Sequence, residues 1–184
     1  PSFGAWDRVE SELALFAAER LAGQVAVHAA AIAMHGRVLL VPGPTGVGKS
    51  QLCAAAAEAG ATILSDEYAL VDATTGSVTG WQRRRPDGGV DRLDIARPAS
   101  PMPLGLVALV KYQPGEVLTI GELVPGKATL GLLANTVCAR SRPQESLDAA
   151  LLITRTCRGV AGTRGEAAEA VRVLLAQLAP SDAA

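Results

Sequence analysis

The chain has 184 residues, of which 49% are hydrophobic and only 3% aromatic, and its net charge is −1. That length suits one domain, spanning 1–184, with a core of Ala, Leu and Val. The near-zero charge gives no overall pull toward nucleic acid or a membrane surface. No run of about 18 apolar residues offers a membrane span, and Asp7, Glu10 and Glu12 interrupt the start where a signal peptide would be apolar.

The first stretch, Asp7 to Ala22, places Val9, Leu13 and Phe16 at helical spacing, with Asp7 as an N-cap and Gly23 as the stop. It predicts a packing helix. Gln24 to Met34 and Arg37 to Val41 read as two strands joined by a turn at His35 and Gly36, a hairpin that leads into a glycine-rich segment. His28 lies inside the first strand, where a histidine is ordinarily a satisfied core residue.

That segment, GPTGVGKS from Gly43 to Ser50, has the phosphate-loop spelling: Gly43 and Gly48 with four residues between them, then Lys49 and Ser50. The chemistry explains the residue types. Gly43, Gly46 and Gly48 allow positive φ and close approach to phosphate oxygens, so the loop through Pro44, Thr45, Gly46 and Val47 to Gln51 turns its backbone N–H groups inward as an anion cradle, Pro44 alone having none to give. Lys49 reaches the outer phosphates and the Ser50 hydroxyl ligates Mg²⁺. The helix expected over Lys49 to Ala59, closed by Gly60, adds its positive end. The ligand expected here is a nucleoside triphosphate.

Ala61 to Leu64 predicts a strand that delivers Ser65, Asp66 and Glu67 at its end. The adjacent carboxylates fit a metal-directed acidic pair or a solvated turn. Tyr68 to Asp72 and Ser77 to Trp81 predict a second hairpin around Thr74, Thr75 and Gly76. Arg83 to Pro103 reads as a long loop with a short strand near Leu93 and Ile95, a length typical of lids and binding loops. Its Arg83, Arg84 and Arg85 suit either an acidic acceptor or a solvated loop.

Leu104 to Tyr112 is a buried strand ending in Lys111 and Tyr112, with Val117 to Leu123 expected as its partner after a turn at Pro114 and Gly115. Helices are expected from Lys127 to about Cys138, from about Gln144 to Ile153 and from Gly165 to Leu178. A short edge strand is expected over Cys157 to Ala161 and a frayed end from Pro180. Cys53, Cys138 and Cys157 show no metal-ligand spacing. Their odd number, with a triphosphate site, points to a reducing cytoplasm.

The order of a histidine strand, GPTGVGKS, an alanine-rich helix and ATILSDEYALVD resembles the catalytic domain of the HPr kinase/phosphorylase family and its short serine-kinase relatives, some of which modify peptide natural products. The resemblance is carried by about Val25 to Asp72, and the later Lys-Tyr-x-Pro-Gly segment is similar to the short relatives. It implies an α/β phosphate-loop domain of the HPr kinase and phosphoenolpyruvate carboxykinase type, with a mixed sheet flanked by helices. It implies that His28 lies near the phosphates, that Asp66 takes the proton from a serine hydroxyl, and that Glu67 partners Mg²⁺. It also implies self-association, as in the hexameric bifunctional members, and an arginine from the C-terminal part near the transferred phosphate. The sequence departs from those members in its Asp-Glu rather than Asp-Asp pair and in its weak echo of their second fingerprint at Gly88, Gly89 and Val90. These departures leave phosphorylase activity and HPr as the acceptor undecided, and leave nucleotide binding and phosphoryl transfer as the expectation.

The function expected is an ATP- and Mg²⁺-dependent kinase acting on a hydroxyl, a serine of a peptide or small protein. The alternatives are a kinase of a small hydroxylated metabolite, with a closed acceptor pocket, and a slow ATPase or nucleotide sensor. An open groove lined by Arg83 to Arg85, or by Arg140 and Arg142, would favour the peptide.

Overall fold

The computed structural model describes residues 9, 12, 13, 15–81 and 100–179. Its organising element is β1 (Gln24–Met34), an 11-residue strand that changes partners midway. Residues Gln24 to His28 pair antiparallel with β4 (Tyr68–Asp72). From Ala29 onward β1 pairs with β2 (Arg37–Pro42) on one edge and with β3 (Thr62–Ser65) on the other. His28 stands at the exchange point.

The whole is a mixed eight-stranded sheet of order β5-β4-β1-β2-β6-β8-β7, with β3 beside β1. β5 (Val78–Gly80) closes one edge, as the second hairpin predicts. β6 (Leu104–Tyr112) lies parallel to β2, and β8 (Arg158–Arg164) parallel to β6. β7 (Thr119–Glu122) is antiparallel to β8 at the far edge.

Strand alternation sorts the apolar residues onto two faces. Val25, Val27, Ala29 and Ala31 of β1 join a core with Leu132, Ala149 and Ile153, supplied by α3 (Pro125–Ala134) and α4 (Pro143–Thr156). Ala30 and Ile32 face the other way, toward Leu52 and Ala56 of α2 (Lys49–Glu58) and Val171 and Leu174 of α5 (Ala167–Ala176). Few large side chains are needed because alanine lines both faces and lets the helices approach closely. No described helix is long and apolar enough to cross a membrane.

Four expectations change. β7 does not pair with β6: Arg158–Arg164 lies between them. The segment expected as a short edge strand is thus seven residues long and interior. Its glycines conceal a strand in sequence but are required in place, since a Cβ on Gly162 would stand 1.8 Å from the Thr119 carbonyl oxygen of β7. The helix expected to reach Cys138 stops at Ala134, and a separate 3-10 turn follows over Val137–Ala139. The N-terminal helix, α1, is described as helical at residues 9, 12, 13 and 15–18, but the side chains expected to pack are exposed: Val9 46%, Leu13 62% and Phe16 57%. The Arg20 guanidinium lies 3.6 Å over the Phe16 ring, and among the described residues of this helix Ala18 is buried. The expectations for Asp7, for Arg83 to Arg85, for Gly88 to Val90, for a strand near Leu93 and Ile95, and for the end from Pro180 lie outside the described residues.

Candidate functional site

Gly43 to Ser50 links the end of β2 to the start of α2. Gly46 and Gly48 take φ of 89° and 85°, the left-handed region that their lack of a Cβ permits. Gly43 does not, contrary to expectation; a Cβ there would lie 2.9 Å from Cγ2 of Val47, so its smallness makes room for that side chain. Gly48 is also the N-cap of α2, and no side chain caps that end. The first amides of the helix are therefore left to whatever enters the cleft.

The loop is tied to β1 by one residue, His28. Its carbonyl accepts the Gly43 amide at 3.1 Å, and its Nε2 meets Lys49 Nζ at 3.1 Å. Lys49 is only 6% exposed. Its ammonium also donates to the Gly43 and Pro44 carbonyls, at 2.8 and 3.0 Å, so three donors face three acceptors. Burial, reinforced by the Lys49 charge, pushes the His28 imidazole down to about 4. His28 is therefore a neutral acceptor at physiological pH, not a cation that would favour ionised carboxylates. Burial also lowers Lys49, opposed by the carboxylates of Asp66 and Glu67.

Those carboxylates sit in the turn between β3 and β4. Ser65, fully buried at the end of β3, fixes that turn: its Oγ accepts the amides of Glu67 and Tyr68 at 3.2 and 3.0 Å. The Ala29 amide donates to the Glu67 carbonyl at 3.0 Å, joining the turn to β1. Asp66 then faces the loop, and its Oδ2 accepts the Ser50 hydroxyl at 3.1 Å. The Tyr68 ring lies 5.5 Å from His28.

His28, Thr45, Gly46, Gly48, Lys49, Ser50, Gln51, Asp66, Glu67 and Tyr112 together line a cleft of about 490 Å³. Most residues expected to form the site thus converge. Pro44 contributes its carbonyl to Lys49, and Val47 contributes its carbonyl to Arg164. Ser50 Oγ and Asp66 Oδ2 are hard oxygen donors close enough to share one Mg²⁺, with Glu67 on the same wall. Among the described residues no group of three His, Cys, Asp or Glu side chains forms a metal cage by itself.

Arg142, considered for an acceptor groove, is engaged elsewhere. It donates to the Gln24 carbonyl at 2.9 Å and pairs with Glu145 at 3.0 Å. Neither it nor Arg140 lines the cleft. Two residues that do shape the site carried weak signals. Tyr112 is visible in sequence only as a strand end. Arg164, fully buried, donates from Nη2 to the carbonyls of Val47 and Gly48, each at 3.1 Å. The strand expected there ended at Ala161, which left Arg164 in a connecting loop.

Fold and cleft together define an α/β protein with a mixed open sheet and a glycine-rich turn between a parallel strand and a helix. The sequence matches no family model and no curated protein.

Proposed function

We propose that this chain is an ATP- and Mg²⁺-dependent kinase that phosphorylates a hydroxyl, a serine of a peptide or small protein. The observation that carries the reading is the contact between Asp66 and Ser50 at the mouth of the loop. It sets a carboxylate beside the hydroxyl that would bind the metal, on the cleft wall where the outermost phosphate would lie. Phosphoryl transfer asks for charge neutralisation and alignment more than for covalent chemistry. Lys49 and the amides following Gly46 supply cationic and dipolar contacts, and Gln51 borders the inner phosphates. Ser50 and Glu67 would hold Mg²⁺, which supplies further neutralisation when bound, and Asp66 stays free to take a proton. The acceptor oxygen attacks the γ-phosphorus, its proton passes to Asp66, and the bond to the β-phosphate oxygen breaks with its electron pair leaving on ADP. His28, neutral with Nε2 as the acceptor, keeps Lys49 at the loop and takes no part in the proton transfer.

The Asp66–Ser50 contact also suits a carboxylate that only holds metal and a water, which would make the protein a slow ATPase or sensor. Incubation with γ-labelled ATP and Mg²⁺, with and without a pool of peptides and small metabolites, separates the readings. Label on a peptide serine supports the proposal. Label on a metabolite moves the acceptor class to small molecules. Free phosphate at one rate in every pool overturns the kinase and leaves the ATPase.

A further inference from the structure

Arg164 is the largest fully buried side chain among the described residues. Nη1 donates to the Gly165 carbonyl at 2.9 Å, and Nη2 bridges the carbonyls of Val47 and Gly48. The guanidinium carbon lies 5.0 Å from the Tyr112 ring centroid, so the cation is backed by an aromatic face that also lines the cleft. Its approach depends on Gly48: a Cβ there would stand 2.2 Å from Nη2. Among the described residues Arg164 has no ion pair, and its Nε is buried without a partner. A guanidinium is always charged, and a buried cation without a counter-ion is costly to keep.

We propose that Arg164 is a positioning residue that aims the loop's amides at the polyphosphate and holds a positive charge behind them. In a trans peptide unit the C=O and the following N–H point in opposite directions. Fixing the carbonyls of Val47 and Gly48 on Arg164 therefore turns the amides of Gly48 and Lys49 away from it, to the side where these residues line the cleft. The cation, without an ion-pair contact and with the charge of Glu166 only partly offsetting its burial, lies directly behind that surface, so a bound polyanion adds to its compensation. This inference rests on the reading of the loop as a triphosphate site.

The test is a calorimetric titration of the full chain with Mg²⁺ and ATP, using wild type, Arg164→Lys and Arg164→Met, with thermal unfolding measured on the same samples. The expected result is a Kd raised about tenfold for Arg164→Lys, which keeps charge but loses the fork; tenfold is about 1.4 kcal/mol. Arg164→Met is expected to lose more. A role confined to stability would lower the unfolding midpoint yet leave Kd unchanged below it, and that outcome overturns the proposal. Wild type that binds no nucleoside triphosphate sinks the underlying reading instead. If neither variant folds, the Arg164 guanidinium ¹⁵N resonances of wild type decide. Movement on ATP titration together with the Gly48 and Lys49 amides supports positioning, and a guanidinium signal unchanged at saturation overturns it.

Discussion

The two flanks of the phosphate loop are built by opposite means. On the β1–β3 flank, His28, Ser65, Asp66 and Glu67 come from strands close to the loop in sequence, and they place ionisable groups at the cleft. On the β6–β8 flank, an arginine 116 residues from Gly48 reaches the back of the loop through β8, and glycines at strand contacts allow the backbone to close in. One flank supplies chemistry and the other supplies shape. Substitutions on the first should change what is done to a bound ligand, and those on the second should change whether the loop is properly presented.

The sharpest separation is expected from Asp66→Asn. The amide keeps size and polarity but cannot take the acceptor proton, so transfer from γ-labelled ATP should fall by about 10²–10⁴, with ATP affinity altered far less. Equal transfer by the variant would end the assignment of chemistry to this flank. On the other side, Gly162→Val forces a side chain into the Thr119 carbonyl. It should lower unfolding free energy by about 1–3 kcal/mol in urea denaturation, while the folded fraction keeps its turnover per bound nucleotide. A loss of turnover with unchanged stability would break the contrast.

His28→Gln tests a subtler point. The native imidazole titrates at about 4 against 6.5 ordinarily, so between those values the unfolded chain holds more protons than the native one. Stability should therefore be unaffected by this group above pH 6.5 and decline as pH falls from 6.5 toward 4. Thermal midpoints across that range should fall less steeply for the variant than for wild type. The smallest effect belongs to Asp72, remote from the loop. Bonds from the Thr74 hydroxyl and from the amides of Thr75 and Thr74 hold its carboxyl down at about 2. That contribution is present above pH 3.8 and lost as pH falls through about 2. Asp72→Ala should remove this acid-range loss with no change in ATP binding, measured by thermal unfolding at low pH and by titration.

The same contrast marks what could be read from sequence. The first hairpin, the loop, α2 and the acidic turn follow one another along the chain, so local signals of alternation, glycine and helix formers place nearly all of that flank. The pairing of β6 with β8 was illegible because it depends on a crossover through α3 and α4, and because Val117 to Leu123 offers itself as the nearer partner. Gly162 made β8 look finished at Ala161, although the lack of side chains at Gly159 and Gly162 is what lets Leu123 and Thr119 of the neighbouring chain pack against it. Arg164 shared that fate: a lone arginine before a glycine carries no sign that its guanidinium will be buried. Ser65 was seen only as a neighbour of Asp66, yet its hydroxyl fixes the turn that presents both acids.

The saturated ammonium of Lys49 sets the terms on which anything enters. Its three donors are already occupied by Gly43, Pro44 and His28, so an incoming anion gains Lys49 by exchange rather than by addition. The count of hydrogen bonds need not rise; what improves is the acceptor, from a neutral carbonyl or imidazole to a charged oxygen. The ammonium's present bonds are already charge-assisted on the donor side, and an anionic oxygen adds the attraction of opposite charges, so selectivity at this lysine becomes a contest of charge. A nucleoside without phosphates offers nothing in trade, and Lys49 keeps its own partners.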